Sequence, residues 1–309
     1  MVKGLKITLI IILVLILVIF IGINILTRST ALDIIQHPMQ ERIDAELWPP
    51  DKTPEDFGRK YEEVSVITED GLNLTGWFLP GHNGATIMIQ HGSPGGRQDG
   101  LYEAAFLNEA GYNVLLGSFR AHDDCDGEMI TFGYYELRDV KAWHEYLLDR
   151  NDIDPGRIGL YGESMGGGTS ILYTSTNSGI KALATGSGFA LTQEVVETFI
   201  IFDTDLPPAF VPLLARFIIF WAEQAADFDS KTLDTEAVIA DISPVPILII
   251  HGGADDKIGD KVGRQLYEAA AEPKQLILFD EAGHVYFEDY YPEEYQASLL
   301  DFFGEHLLE

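Results

Sequence analysis

The stretch "LYGESMGGGTS" at residues 160–170 encloses Ser164 between glycines, directly after a short apolar run. The apolar residues before Ser164 predict a buried strand, and those after it predict the start of a helix. A chain that changes from strand to helix at one residue must bend sharply, and Gly162 and Gly166 permit the close backbone approaches that this bend requires. G-x-S-x-G in such a setting predicts a nucleophile elbow. The alternative is a glycine-rich turn with a helix-capping serine, so a second signal must decide.

The surrounding sequence alternates short apolar strands with helices of apolar periodicity. Strands are predicted at 85–90, 112–118, 157–162, 181–187, 245–252 and 274–280, and helices at 101–110, 134–149, 166–177 and 293–307. Ahead of them, two β-rich runs flank Asp70-Gly71, which indicates a hairpin. This alternation predicts an α/β domain over residues 61–309, with a mostly parallel central sheet and helices on both faces.

An acid and a histidine in late loops provide the second signal. A nucleophilic serine needs a base to take its proton and a third group to orient that base. The loop after predicted strand 245–252 carries Asp255, with Asp256 beside it, and the loop after the next strand carries His284. Ser164, Asp255 and His284 therefore fit a catalytic triad in chain order and in position. The other downstream histidines, interpreted as a strand-end packing residue and a surface residue of the last helix, are His251 and His306.

A glycine-rich loop, "IQHGSPGGRQ" at 89–98, follows the first of the predicted parallel strands. Small residues let backbone N–H groups approach a substrate oxygen, and a tetrahedral oxyanion needs two such donors. We expect these donors to be the N–H groups of Ser93 and of Met165, the residue after the nucleophile. A phosphate-binding loop is the rival interpretation, but G-x-x-x-x-G-K-[ST] and its lysine are missing.

Residues 188–243 interrupt the alternation with helical, strongly apolar stretches. This segment predicts an inserted helical lid over the carboxyl edge of the sheet, where open α/β folds bind ligands. The alternative is an ordinary pair of buried helices. The aromatic residues of the segment that could contact an acyl chain are Phe199, Phe202, Phe217, Phe220 and Trp221.

The N-terminus carries a candidate membrane anchor. Ile7 to Leu26 contains no charge, and a helix of that length covers the hydrocarbon core of a bilayer. Lys3 and Lys6 precede the span and the chain turns acidic after Arg28, which favours a cytoplasmic N-terminus and an extracytoplasmic remainder. We therefore assign 1–28 to a transmembrane anchor and 29–60 to a juxtamembrane connector. A cleaved signal peptide is the competing interpretation, but its apolar region should be shorter.

The composition restricts partners and cofactors. Lys plus Arg number 20 against 49 Asp plus Glu, a net charge of −29, so we expect no nucleic-acid partner. The single cysteine, Cys125, excludes an intramolecular disulfide and a cysteine-based zinc site. The acidic residues around it lack the spacing of a Ca²⁺ loop, so we expect neither a metal nor a cofactor.

The chain after the anchor resembles the α/β-hydrolase superfamily. It is most similar to the branch of membrane-anchored esterases, monoacylglycerol-lipase-like proteins and prolyl-oligopeptidase-type peptidases. The shared motifs appear here as "DGLNLTGWFLP", "HGSPGG", "GESMGG", "HGGADDKI" and Gly283-His284. The resemblance implies the fold, selects Asp255 over Asp256 as the acid, and says little about the substrate.

One loop departs from the pattern of that superfamily. Where the family reads "RGHGxSxG", this chain has Arg120 followed by "AHDDCDGE", so Ala121 and Asp123 stand in place of two glycines. We interpret the segment as a solvated acidic loop. Cys125 within it is expected to be inert, because neighbouring anions raise a thiol pKa.

These observations together predict a membrane-anchored serine hydrolase of the carboxylesterase or lipase type (EC 3.1.1 class), acting through an acyl-enzyme. The expected partners are a small-molecule or lipid ester substrate and the cell membrane, which the N-terminal helix crosses once. A serine peptidase or aminoacyl hydrolase of prolyl-oligopeptidase type is one alternative. A non-catalytic, membrane-tethered binding protein with the same fold is the other. The sequence indicates neither the acyl length nor the oligomeric state.

Overall fold

A computed structural model describes residues 2–36, 52–190, 192–204 and 206–309. Its centre is an eight-stranded sheet in the order β1-β2-β4-β3-β5-β6-β7-β8. Strand β2 runs antiparallel to β1 and β4, and every other neighbouring pair is parallel. The strands are β1 (Glu62–Ile67), β2 (Asn73–Leu79), β3 (Thr86–Gln90), β4 (Asn113–Gly117), β5 (Ile158–Glu163), β6 (Ala182–Gly186), β7 (Ile247–Gly252) and β8 (Lys274–Phe279).

Helices cover both faces of this sheet, which confirms the predicted fold class. Successive side chains of a strand point to opposite faces, so Met88 of β3 packs into one apolar cluster while Ile87 and Ile89 pack into the other. Helices from several parts of the chain close both clusters. Those that cover the first face of the sheet include α3 (Glu136–Asp149), α4 (Met165–Thr176) and α8 (Val262–Ala269), and those that cover the second include α2 (Leu101–Glu109) and α9 (Pro292–Leu307).

The hairpin predicted at Asp70-Gly71 joins β1 to β2. Gly71 has a φ of +88°, which L-residues rarely adopt, and the Thr68 hydroxyl donates to the Asp70 carboxylate at 2.6 Å. The side chain of Asp70 also accepts from Arg120 at 2.9 Å, so the hairpin is tied to the loop that follows β4.

The N-terminal helix α1 (Val2–Ile35) continues past the predicted end of the anchor at residue 28. Leu5–Ile35 is long and apolar enough to cross a membrane, and its most apolar 18 residues have a mean hydropathy of 3.5. No glycine or proline interrupts residues 23–37, and Ala31 and Ile35, one turn apart on one helix face, are buried in the first apolar cluster. The last turns of α1 therefore belong to the core of the α/β domain. The central part of the predicted connector, 37–51, lies outside the described residues.

The segment predicted as a lid is helical. It contains α5 (Gln193–Asp203), α6 (Val211–Ala226) and the short α7 (Thr235–Val238). Helices α5 and α6 pack against each other, and α6 also packs along α1. The stretch Pro208–Ala226, which contains α6, also has the length and composition of a membrane span. Its most apolar 18 residues have a mean hydropathy of 1.3, and 28% of them are buried.

Candidate active site

A cavity of about 400 Å³ opens at the carboxyl end of the parallel strands. Four loops and the lid contribute to its wall, because parallel strands bring their carboxyl ends to one edge of the sheet. Ser93 comes from the loop after β3, Ser164 from the end of β5, Asp256 from the loop after β7 and His284 from the loop after β8. Phe202 of α5 closes the cavity from the lid side.

Ser164 stands at the sharp turn that the sequence predicts between β5 and α4. Its backbone has φ +52° and ψ −121°, a strained conformation for a residue with a side chain. The Ser164 N–H donates to the Gly186 carbonyl at 2.8 Å, which fixes the turn to β6. A Cβ on Gly166 would collide with the Gln90 carbonyl, so the helix can begin this close to β3 only with glycine at that position.

Ser164, His284 and Asp255 form one hydrogen-bonded chain. The Ser164 Oγ lies 2.8 Å from Nε2 of His284, and Nδ1 of His284 lies 2.9 Å from Oδ2 of Asp255. A carboxylate only accepts, so Nδ1 carries the proton and Nε2 is left to accept from the serine hydroxyl. The structure thus brings together the three residues predicted from chain order, in the geometry that a nucleophile, a base and an orienting acid require.

Asp255 is held as a buried carboxylate. Its Oδ1 accepts from the backbone N–H groups of Lys257 and Ile258, each at 3.1 Å. Burial raises the pKa of Asp255, but the hydrogen bond and positive partial charge of His284 outweigh it, so the pKa lies below its ordinary value. Asp256 is exposed at the cavity rim, which matches the choice of Asp255.

His251 has a packing environment at the end of β7. It is fully buried, and its Nε2 lies 3.0 Å from the Gly259 carbonyl, to which it donates. Burial lowers the pKa of His251, so the ring is neutral at physiological pH. The strand-end position predicted for this histidine is therefore where the structure places it.

The two predicted oxyanion donors belong to the first residue of α4 and to the loop that follows β3. Met165 is the first residue of α4, so its N–H is one of the helix-terminal donors without a partner inside the helix. Ser93 lines the cavity, and a Cβ on Gly92 would come within 3.0 Å of the Ser164 Cβ. The glycine therefore lets this loop approach the nucleophile closely.

The five lid aromatics predicted as acyl contacts separate into two groups. Phe202 lines the cavity, and Phe199 packs on Phe189, whose ring lies 6.3 Å from that of His284. The other three, all on α6, are outside the lining of this cavity: Phe217 packs on Phe20 of α1, Trp221 lies under the Arg28 guanidinium, and Phe220 contacts Trp221. Phe217 and Trp221 are turned toward α1, and Phe220 lines a separate pocket, which corrects the expectation that all five surround the substrate.

The structure contains a buried carboxyl network beside Ser164 that the sequence analysis does not predict. The Tyr161 hydroxyl lies 2.6 Å from Glu163 Oε1 and 2.6 Å from the Tyr295 hydroxyl, which lies 2.7 Å from Glu103 Oε1. Three short contacts need three protons and the phenols supply two, so one carboxyl is protonated. Burial and nearby Glu288 raise the pKa of Glu163 to about 8. Glu163, a glutamate at the end of the otherwise apolar strand β5, is the sequence signal that could have indicated this network.

The acidic loop at 121–127 is bound to the domain rather than freely solvated. Asp124 accepts from Arg97 at 2.8 Å, and Asp126 accepts from the Asn73 N–H at 2.9 Å. Burial raises the pKa of Cys125, in agreement with an unreactive thiol. Within the described part of the chain, no group of three or more His, Cys, Asp or Glu side chains is placed to hold a metal ion.

Comparisons with known proteins agree with this architecture. The chain is 29% identical to the protein YfhR of Escherichia coli K12 over 250 residues, which cover 78% of this chain and 80% of YfhR. The Pyrococcus furiosus esterase Pf2001 superposes with a TM-score of 0.69 at 26% identity, covering 83% of this chain and 95% of that one. An Exiguobacterium antarcticum esterase has a TM-score of 0.59 at 19% identity, covering 78% and 99%, and shares the fold.

The family model described as the prolyl oligopeptidase family matches residues 103–309, more than half of the chain. The matched region contains Ser164, Asp255 and His284, together with the lid. The chain therefore belongs to the prolyl oligopeptidase family within the α/β-hydrolase superfamily, and is a hydrolase.

Proposed function

We propose that the protein is a membrane-attached serine esterase that cleaves carboxylic esters through an acyl-enzyme. The observation that carries this proposal is the chain of hydrogen bonds from Ser164 Oγ through His284 to Asp255, at 2.8 and 2.9 Å. Ser164 lines a cavity that Phe202 covers from the lid side. A substrate carbonyl carbon can therefore reach the serine hydroxyl from solvent or from a lipid phase.

The proposed mechanism has two halves. Ser164 Oγ attacks the substrate carbonyl while His284 Nε2 takes its proton, and the Asp255 carboxylate stabilises the imidazolium that forms. The N–H groups of Ser93 and Met165 receive the oxyanion, at roughly 3–4 kcal/mol for each donor. His284 then returns the proton to the leaving alcohol. Water, deprotonated by the same imidazole, releases the acid and restores the serine hydroxyl.

An ester substrate is favoured over a peptide by two observations. The likeness to the Pyrococcus furiosus protein, named an esterase, extends over 83% of this chain. Phe202 adds an apolar, half-exposed ring to the cavity wall, where a small acyl group or a lipid acyl chain would lie. The name of the matching family favours a prolyl-oligopeptidase-type peptidase or aminoacyl hydrolase instead, and this is the second candidate.

We propose that α1 anchors the enzyme in the cell membrane, with the N-terminus in the cytoplasm and the catalytic domain outside. Apolar side chains of α1 from Leu5 to Leu26 are largely exposed, as expected for a helix surrounded by lipid. The rest of the chain is strongly acidic, so anionic headgroups repel it and electrostatic attraction does not hold it at the surface.

A fluorophosphonate probe tests whether the protein is catalytic. We expect covalent labelling of the full-length protein at Ser164, found by mass spectrometry of the labelled peptide. Absence of labelling in folded protein would leave the third alternative, a membrane-tethered binding protein. A panel of p-nitrophenyl esters, monoacylglycerols and aminoacyl amides then separates an esterase from a peptidase. A kcat/KM that is higher on amides than on esters would contradict the proposed substrate class.

Membrane attachment is tested by flotation of full-length protein and of a chain that lacks residues 1–22. The shortened chain keeps Thr27, Ala31 and Ile35, which are buried in the domain. We expect it to stay in the soluble fraction and to hydrolyse p-nitrophenyl acetate. Flotation of both forms to the same extent would contradict anchoring by α1.

A further inference from the structure

The loop that follows β4 contacts the glycine-rich loop at three successive points. We call residues 118–124 the strap and residues 91–97 the oxyanion loop. The Phe119 N–H donates to Nε2 of His91 at 3.0 Å, and the Arg97 N–H donates to Oδ2 of Asp123 at 2.9 Å. Between them, the Ser93 Oγ lies 3.3 Å from Nε2 of His122. The strap thus runs alongside the oxyanion loop and holds its start, its middle and its end.

The hydrogen bond between Ser93 and His122 has a fixed donor and a fixed acceptor. Nδ1 of His122 lies 2.8 Å from the Arg120 carbonyl, which can only accept, so Nδ1 carries the proton and Nε2 accepts from the Ser93 hydroxyl. Burial, together with the nearby His91 ring, lowers the pKa of His122 to about 3. His122 therefore stays neutral and keeps this tautomer throughout the physiological pH range.

The contact at the end of the oxyanion loop depends on Asp123, a residue that the superfamily pattern does not contain. Ala121 has a φ of +60° and Asp123 a φ of +50°, at the two positions where the resemblance places glycine. Side chains at such angles are strained, although Asp adopts them more readily than most residues. Strain that is retained at the edge of an active site indicates that the side chain is used there.

The Asp123 carboxylate is placed under the oxyanion loop. Its Oδ2 accepts from the Ser118 hydroxyl at 2.6 Å as well as from the Arg97 N–H. Its Oδ1 is inaccessible to solvent, and a Cβ on Gly96 would collide with it. Burial raises the pKa of Asp123, but His91, Ser118 and Arg97 outweigh this and lower it below its ordinary value, so the group is ionised.

Arg97 holds the same end of the loop through its side chain. The guanidinium donates to Asp124 at 2.8 Å and stacks on the Trp77 ring, with its carbon 4.6 Å from the ring centroid. Backbone and side chain of Arg97 are therefore fixed by two consecutive strap carboxylates. The residues between Ser93 and Arg97 have little freedom left once both ends of this short turn are held.

We propose that Asp123 is a positioning residue of the oxyanion hole: its carboxylate fixes the Arg97 N–H and, through the turn between them, the Ser93 N–H that receives the oxyanion. Asp123 touches neither the substrate nor the reacting atoms. The proposal rests on the proposed esterase function, because it assigns the strap to transition-state stabilisation. It explains why this chain retains a strained aspartate where glycine would fit without strain.

The test compares Asp123→Gly, which restores the family residue, with Asp123→Asn, whose amide oxygen can still accept from Arg97. The matched control is Asp126→Asn, in the same loop but bonded to β2. We expect Asp123→Gly to lower kcat for p-nitrophenyl acetate about 10–100-fold with KM within about threefold, because the misplaced donor acts in the transition state. Asp123→Asn should recover most of kcat, and Asp126→Asn should match the wild type.

Two further measurements separate positioning from folding. A trifluoromethyl ketone, whose hemiketal oxyanion occupies the same hole, should bind Asp123→Gly more weakly by the same factor as kcat/KM falls. Amide hydrogen exchange at residues 92–97 should accelerate in that variant while exchange in β5 and β6 is unchanged. A kcat within twofold of wild type, unchanged ketone affinity or unchanged exchange in 92–97 would each overturn the proposal. The exchange result holds even if the wild-type protein fails to react with fluorophosphonate, which would refute only the esterase function.

A second substitution tests the contact itself. Gly96→Ala places a Cβ against Asp123 Oδ1 and Gln98 Oε1, although Gly96 has an extended backbone that alanine accepts. We expect Gly96→Ala to lower kcat in the wild type and to have a clearly smaller effect in the Asp123→Gly background. Equal effects in both backgrounds would show that the carboxylate does not hold this part of the loop.

Discussion

The two walls of the active-site cavity are held in different ways. On the sheet side, Ser164, Ser187 and Tyr286 all have positive φ angles, and backbone hydrogen bonds such as Ser187 N–H to the Ile250 carbonyl at 2.9 Å fix them. On the lid side, Ile201 and Phe202 at the end of α5 are 57% and 51% exposed. Backbone hydrogen bonds fix the sheet side, whereas the end of α5 that carries Phe202 is largely exposed to solvent.

This difference separates the chemistry from the choice of substrate. A strained backbone persists only where its surroundings leave no alternative, so the hydroxyl, imidazole and carboxylate should keep their distances whatever the position of α5. A helix end with exposed apolar side chains has a low local stability and can change position at little cost. Substitutions on the sheet side should therefore abolish turnover, and substitutions on the lid side should change which esters are accepted.

The largest effect is expected for Ser164→Ala. Loss of the nucleophile should lower kcat for p-nitrophenyl acetate by about 10⁴–10⁶-fold, as for other serine hydrolases that lose a triad residue. The hydroxyl faces the cavity, so its removal leaves no buried void and the melting temperature should be unchanged. Ser175→Ala, near the far end of α4, is the matched control. Residual activity within tenfold of the wild type would contradict the role of Ser164.

Asp255→Asn should have the next largest effect. An amide in place of the carboxylate favours the wrong tautomer of His284, and we expect a loss of roughly 10³–10⁴-fold in kcat. The neighbouring Asp256→Asn and the exposed Asp280→Asn should retain activity within about threefold. Steady-state kinetics on folded variants checks this order. A greater loss in either control would transfer the orienting role to another carboxylate.

Phe202→Ala tests the lid side. Removal of the ring from the cavity wall should lower kcat/KM for p-nitrophenyl decanoate about tenfold, because an apolar contact of one to two kcal/mol is lost, and should barely change it for the acetate. Phe220→Ala, on the same lid but outside this cavity, should leave the chain-length preference unchanged. Equal shifts in both variants would remove the distinction between the two groups of lid aromatics.

The smallest effect concerns the pH dependence of stability. The pKa of Glu163 is raised from 4.5 to about 8 in the folded state, so the folded protein binds more protons than the unfolded chain in this range. The free energy of unfolding should therefore fall as the pH rises from 4.5 to about 8, and the melting temperature should fall with it. Glu163→Gln should flatten the profile, and the exposed Glu281→Gln should not. A wild-type melting temperature that rises with pH in this window would contradict the assignment.

The sequence predicts the sheet side of the cavity well, because the neighbouring residues in the chain indicate the position of each predicted catalytic side chain. Ser164 requires glycines two positions before and after it, and Asp255 and His284 follow strands that are visible as apolar runs. The lid aromatics are different, because their surroundings are set by contacts distant in sequence. Phe217 meets Phe20, and Trp221 meets Arg28. Apolar residues at helical spacing indicate that α6 has a buried face but not which partner covers it.

The end of α1 and the acidic loop were harder to predict for the same reason. Seventeen Leu, Ile, Val or Phe residues in Ile7–Leu26 identify a membrane span, but nothing local shows that Ala31 and Ile35 complete a soluble core. A run of aspartates is usually solvated, so the sequence predicts an exposed loop at the strap. The hydrogen bonds from Ser118 and Arg97 show that Asp123 is bound.

The burial of the last turns of α1 has a consequence for biosynthesis. The ribosome makes this helix first, yet the Ile35 carbonyl accepts from the Ile130 N–H at 2.8 Å, so the core cannot close until much of the domain has been translated. A peptidase that cut at 29–31 would remove one of the core residues, Ala31, and would leave the released domain with an opened face. A cut in this stretch would therefore not release an intact domain, whereas a chain that lacks only residues 1–22 keeps these core residues.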